Sequence, residues 1–409
     1  MIDVTKQHST NNDYDIHPTK SGVTILHNPT TNPVRRNHWN MGDICMPLED
    51  NFVHLGLKWQ AGRSAPNLET AISSGRRTGY KLMGAGLHGQ NGLSPCISMR
   101  IVSLYILPTL LSGLEACVLK KHELNSLDRY HKKVLRMIQG LPESTATPAI
   151  YLLLGTVPLA ATLHGRILSL YGNITRLVYN HPLRQLALRQ IGMADSRPLS
   201  WFKQLREICT LYKIDAVDVL ISPWEKLQWK AYTKNAVRNH WHRQLIHEAY
   251  GKSTLNWISL DTMGRCTPHG IWHACRMKPH LVPAATTRVK AMTGRLSLQY
   301  APWQRDKTCT LCGEAEETTQ HFIAECTKLV DIRNIIIPDL LSLYTEEGKP
   351  APSSPYELTS ACLNGDHYTL ESGGRVWLEQ AEDAQNLCSL IVHKLYSERD
   401  TRINEKLMI

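Results

Sequence analysis

Four residues late in the chain have the types and spacing that bind a metal. In "CTLCGEAEETTQHFIAEC" they are Cys309, Cys312, His321 and Cys326, spaced C-x2-C-x8-H-x4-C. Two thiolates on one tight turn can face a single ion, and zinc takes four such donors in a tetrahedron. Gly313 follows Cys312 directly and frees the backbone for that turn. His321 and Cys326 lie five residues apart, so a helix beginning after Thr319 is expected to present both to the same side. Four donors leave no position for water, which implies structural zinc rather than catalysis. A second group, "CTPHGIWHAC", offers Cys266, His269, His273 and Cys275. Its crowded spacing fits either another metal site or two histidines packed on a helix.

The elements that would carry these residues are mostly helical. The turn around Pro18 and the run Val23-Thr24-Ile25-Leu26 read as turn then strand, 28–38 as a loop, and "NFVHLGLKWQ" (51–60) as a strand with a bulge at Gly56. These two strands are expected in one small sheet. From Ser64 the period becomes helical, through Leu68, Ile72 and Leu82. Ser94-Pro95 reads as N-cap and first helical position of the next helix, bent or interrupted near Pro108. A third helix is expected over 120–139, its apolar residues on one face and cations around the rest, ended by Gly140 and Pro142. Residues 143–300 read as helices split by Pro158, Pro182, Pro198 and Pro223, with no fixed repeat. "KPAPSSPY" (349–356) reads as a linker and 378–407 as a last helix. The fold class expected is mainly α with a small β remnant (α+β).

Charge separates along the chain. Residues 61–308 carry 33 Lys/Arg against 13 Asp/Glu, whereas 309–409 carry 8 against 17. So basic a middle repels itself unless an anion meets it, and nucleic acid is the commonest such partner. The eleven cysteines are odd in number and scattered, the N-terminus is polar, and the apolar stretch 101–114 is short of the roughly 20 residues that span a bilayer. These features imply a reducing, intracellular setting, with no membrane partner.

The chain resembles the C-terminal portion of a non-LTR (LINE-like) retrotransposon reverse transcriptase. "YDIHPTKSGVTIL" is similar to the palm segment after the catalytic aspartates, and "FVHLGL" to the primer-grip hairpin, with His54 in place of the usual aromatic. "YILPTLLSGLEA" (105–116) and "LNSLDRYHKKVLRMIQGLP" (124–142) resemble thumb helices. "RVKAMTGR" with the Cys-Cys-His-Cys segment, over 288–326, resembles the basic stretch and knuckle near the end of such proteins. The resemblance implies a palm remnant over 1–60, a thumb-like helical domain over 61–142, a helical linker domain over 143–300, a CCHC zinc knuckle over 301–330 and a helical tail over 331–409.

It also implies a nucleic-acid-binding segment without polymerase activity of its own. No Asp-Asp dipeptide occurs in the chain, so the metal-binding turn at the centre of the family's phosphoryl transfer is missing. No nuclease pattern follows the knuckle. Lys20 matches a family position that protonates pyrophosphate, but here reads as a solvated turn lysine. Backbone contacts are expected from Arg76, Arg77, Lys120, Lys121, Arg129, Lys132, Lys133 and Arg136. Arg288, Lys290, Arg295, Arg305 and Lys307 are expected to form a second basic surface beside the knuckle. Tyr300 and Trp303 would either stack on unpaired bases or pack in the core. The bound strand would be RNA, DNA or a hybrid, with the element's own transcript one possibility. An alternative is an incomplete record of an active RNA-directed DNA polymerase, and another a decayed copy of the element.

Overall fold

A computed structural model of the chain describes residues 2–17, 21–25, 39–41, 44–54, 57–61, 68–88, 93–193, 200–264, 266–299, 305–346, 350–365 and 375–408. The fold is mainly helical, 68% helix against 4% strand, with two small sheets, as the sequence pattern implied. It divides into two units, each discontinuous in the chain. One takes residues 1–77, 107–127 and 163–230; the other takes 78–106, 128–162 and 231–409.

The first unit carries both sheets. Trp39–Met41 pairs antiparallel with Ile44–Met46. Asn51–His54 pairs antiparallel with Leu57–Gln60, placing Phe52 opposite Trp59. Thus the described residues of 51–60 form two paired strands and not the single bulged strand read from their pattern. Among the described residues of the other expected strand, Val23 makes an isolated bridge to Leu48. The helical part packs round aromatics. The Trp229 indole donates to the Leu168 carbonyl at 2.8 Å, and its ring lies so close to Gly172 that an added Cβ would stand 2.2 Å from it. The Trp201 indole donates to the Glu115 carbonyl at 2.8 Å.

The second unit is a helical assembly around the C-terminal helix. Helix Lys121–Ile138, which belongs to this unit from Asp128 onward, matches the expected third helix and ends where Gly140 enters the left-handed region at φ 63°. The Leu141 N–H bonds the Arg136 carbonyl and the Gly140 N–H that of Met137, the double bond of a Schellman cap. Ser94 caps helix Pro95–Ile101 as read. The break near Pro108 is a π-turn over Val102–Ile106, which takes up the distortion before Leu107–Leu111. Helix Thr147–Leu154 ends at Gly155, where the chain approaches Thr267 so closely that a Cβ would lie 2.1 Å from its backbone.

Two sequence readings need correction at the end of the chain. Residues 349–356 are not wholly linker: Ser354 begins helix Pro355–Asn364 with a capping box, exchanging hydrogen bonds with Glu357. The expected tail is a core element. Helix Arg375–Met408 buries Cys388, Ile391, Val392 and Leu395 completely or nearly so and packs against helices Gly270–Ala274, Val282–Met292, Val330–Glu346 and Pro355–Asn364. No single described helix is long and apolar enough to cross a membrane.

Candidate metal centre

The metal-ligating residues converge as their spacing implied. The donor atoms of Cys309, Cys312, His321 and Cys326 lie within 4.8 Å of one another, a group that could hold a metal ion. Cys309 Sγ and Cys326 Sγ are 3.8 Å apart, and Cys312 Sγ stands 3.4 Å from His321 Nε2. Cys309, His321 and Cys326 are buried and Cys312 is half-buried.

Local backbone chemistry builds the set. Cys309 N–H donates to Ala315 O at 2.8 Å, and Gly313 N–H returns to Cys309 O at 2.9 Å. Gly313 sits at φ 73°, the left-handed conformation that glycine adopts without strain. The Glu314 N–H points at Cys312 Sγ from 3.4 Å. On the second half, Thr318 Oγ1 accepts the His321 N–H at 3.0 Å. The chain then makes a π-helical turn over His321–Glu325, closed by Cys326 N–H on His321 O at 2.7 Å. An ordinary α-helix turns about 100° per residue, so residues five apart diverge by roughly 140°. The i→i+5 bond of the π-turn brings them back to one side. A plain helix was expected here; the wider turn is what makes the five-residue spacing work.

Burial pushes the Cys309 thiol up and the Cys326 thiol to about 12. At Cys312 burial acts upward as well, but the hydrogen bond from Glu314 and its neighbours outweighs it and the thiol is lowered. A cation among these sulfurs would reverse the burial effect, because it stabilises the thiolate form.

The centre is fixed to the rest of the unit by charged bonds. Glu317, 1% exposed, accepts from Arg399 Nε and Nη2, both at 2.7 Å, and from the Gln299 N–H at 2.7 Å. Arg402 forms a fork with Asp331, and Lys406 Nζ donates to Thr310 O at 2.9 Å. Arg333 donates to the Cys326 carbonyl. Phe322 packs edge-on against Tyr396, ring centres 6.2 Å apart. Glu317, Arg333 and Arg399 were not singled out from the sequence; the only signal was that Glu317 lies between the second and third ligands.

The other cluster does not form a ligand set among the described residues. His269 caps helix Gly270–Ala274 by accepting the Ile271 N–H, and His273 pairs with Glu382 at 2.9 Å. Cys275 bonds back to the Trp272 carbonyl. Cys266 lies outside the helix in a left-handed conformation, φ 54°. These are packing and capping roles.

The basic residues divide between the units. Arg76, Arg77, Lys120 and Lys121 are exposed in the first. In the second, Arg129 and Lys133 are exposed, Lys132 is held by Asp128 at 2.9 Å, and Arg136 donates to the Thr145 carbonyl at 3.0 Å. Lys290, Arg295 and Lys307 are half-buried and Arg305 is exposed. Arg288 must be removed from the expected surface. It is fully buried, donating to Leu363 O, Gln385 O and Gln385 Oε1 at 2.8–2.9 Å, because its position on helix Val282–Met292 faces the core. Sequence reading also passed over exposed Lys226, Lys234 and Arg238 on helix Lys226–Tyr250, detectable from their spacing in multiples of four. Lys20, Tyr300 and Trp303 lie outside the described residues.

No protein-family model, curated protein or solved structure matches the chain.

Proposed function

We propose that this chain is a nucleic-acid-binding segment corresponding to the C-terminal portion of a non-LTR retrotransposon reverse transcriptase, with structural zinc at the Cys3His group. The spacing of the donors supports zinc. Two sulfurs on bonds of about 2.3 Å at a tetrahedral angle stand about 3.8 Å apart; Cys309 and Cys326 stand 3.8 Å apart. A bound zinc would supply fold energy and no reaction chemistry, since four protein donors leave no open position. The residues do the rest: the turn at Gly313 aims two sulfurs, the π-turn aims His321 and Cys326, and Glu317 with Arg399 anchors the segment.

The observation that carries nucleic-acid binding is the face of helix Lys121–Ile138. Arg129, Lys132, Lys133 and Arg136 fall within an arc of about 100° on a helical projection, while Val134, Leu135 and Ile138 on the other side are buried. Such cations contact phosphates and carry affinity rather than sequence information. The order of the interrupted helix at 105–111, this amphipathic helix and the metal centre follows the order of the resembling segments. The proposed partners are RNA, DNA or a hybrid, including the element's own transcript.

The test is fluorescence anisotropy of a labelled RNA–DNA hybrid across a salt series. Affinity is expected to fall steeply with salt, and the R129Q/K133Q double variant to lower the log–log slope by about 2, near one for each phosphate contact. A flat salt response in the unaltered chain, or an unchanged slope in the variant, refutes this surface.

A further inference from the structure

A cleft of about 630 Å³ in the second unit lies at three helix ends. We infer that it is a binding site for a nucleoside monophosphate, with Lys290 and Arg295 holding the phosphate. The nucleotide would be either free or the terminal residue of a strand. The site shares Lys290 and Arg295 with the nucleic-acid reading above, and so rests partly on it.

The walls have two characters. Met83, Met137, Leu141, Pro142 and Leu296 supply apolar lining. Thioethers are favourable neighbours for a flat aromatic ring, and the volume lies within the roughly 300–1,000 Å³ usual for small-ligand pockets. The lining also includes His88, Lys290, Arg295, Ser297 and Tyr396, and no carboxylate is among its described residues. Asp400 lies beside this lining, sharing a side-chain hydrogen bond with Tyr396, and is itself bonded to Arg399 at 2.8 Å.

The two cations are placed by the backbone. Helix Val282–Met292 ends at Gly294, φ 61°, and both the Arg295 and Leu296 N–H groups bond the Lys290 carbonyl, at 2.7 and 3.0 Å. This Schellman turn folds Arg295 back beside the turn that carries Lys290.

A competing role has to be weighed. Three helix C-termini contribute to the lining, and cations beside such ends are favoured by the helix dipole. The end carbonyls of Arg136, Met137, Lys290 and Ala291 are consumed by their caps, however. Two full charges on Lys290 and Arg295 exceed the partial charges of capped helix ends, so the cleft stays attractive to an anion.

The test is calorimetric titration of the full zinc-loaded chain with AMP, adenosine, inorganic phosphate, and an octa-adenylate with and without a 5′-phosphate. AMP is expected to bind at least about tenfold more tightly than adenosine or phosphate alone, and K290M/R295Q to lose about tenfold or more. If the phosphorylated strand binds more tightly than both AMP and the unphosphorylated strand, the ligand is a strand end; if AMP matches it, the ligand is the free nucleotide. A second readout does not depend on the variant folding: photo-crosslinking of the unaltered chain with 8-azido-AMP should label a peptide carrying Met83, Met137 or Leu296. Equal binding of AMP and adenosine, a crosslink elsewhere, or full AMP binding by the folded double variant overturns the site. No AMP binding by the unaltered chain, with the R129Q/K133Q salt response as expected, strikes only the cleft; AMP binding with an unchanged salt slope in R129Q/K133Q strikes only the helix surface.

Discussion

Replacing Arg399 with methionine should weaken the metal centre from outside its ligand set. The guanidinium is 6% exposed and binds Glu317, itself 1% exposed, through two hydrogen bonds of 2.7 Å. Methionine keeps much of the side-chain volume but leaves the Glu317 carboxylate, among the described residues, with the Gln299 N–H and the Cys309 sulfur as its partners. Breaking a buried pair by removing one partner costs about 3–5 kcal/mol, chiefly through the stranded charge. At about 2–4 °C per kcal/mol for a unit of this size, the melting temperature should fall by about 6–20 °C. The control is E317Q/R399M. With no stranded carboxylate it should recover most of the loss, because a buried ion pair contributes little net stability over neutral partners. Thermal melting by circular dichroism measures the first effect, and the rate of zinc release to a chromogenic chelator measures coupling to the centre. Release should quicken in R399M and return towards normal in the double variant. A melting point within 1–2 °C of the unaltered chain, or a double variant no better than R399M, would refute the reasoning.

Other outcomes follow from the same geometry. Purified protein should carry about one zinc per chain by atomic emission, and Cys312→Ser should lose it; full retention would break the ligand assignment. His131 is fully buried, and burial lowers its imidazole from 6.5 to about 4, against a smaller upward pull from Asp128. The unfolded state therefore takes up the proton first as pH falls. Stability from this residue is intact above pH 6.5 and lost towards pH 4, by about 3 kcal/mol. His131→Leu should flatten that part of a denaturant-midpoint versus pH curve, and an unchanged slope would count against it. Gly172→Ala should destabilise by about 1–3 kcal/mol through its clash with Trp229, read by the urea midpoint.

Helices were legible in the sequence wherever one face was apolar along its whole length. Lys121–Ile138 is the clearest case, with Gly140 announcing its end. The ligand set was equally legible, since donor type and spacing are local facts. Arg288 was not. In sequence it belongs to a basic stretch, and only the rotation of its helix against Gln385 and Leu363 reveals that it points inward. The Pro355–Asn364 helix was hidden for a different reason: prolines and serines dominate the segment that starts it, and the capping box at Ser354 and Glu357 decides against the loop composition. The π-turn at His321 has no sequence signature of its own; it becomes necessary only once both ligands must face one point.

The charge imbalance along the chain has a structural resolution that bears on binding. The acidic C-terminal quarter does not simply face solvent. Its carboxylates engage arginines from the same region, Glu317 with Arg399 and Asp331 with Arg402. They also draw on the basic middle, Asp383 with Lys278 and Glu382 beside His273. Meanwhile Arg288 is spent on backbone and amide oxygens inside the core. The cations open to solvent are thus fewer than the sequence total, and Arg129 and Lys133 are among them. A binder working through the whole basic middle would lose affinity evenly as charges are removed one at a time. If instead the binding surface is this restricted set, neutralising Lys278 should leave the salt slope unchanged while neutralising Lys133 lowers it by about 1.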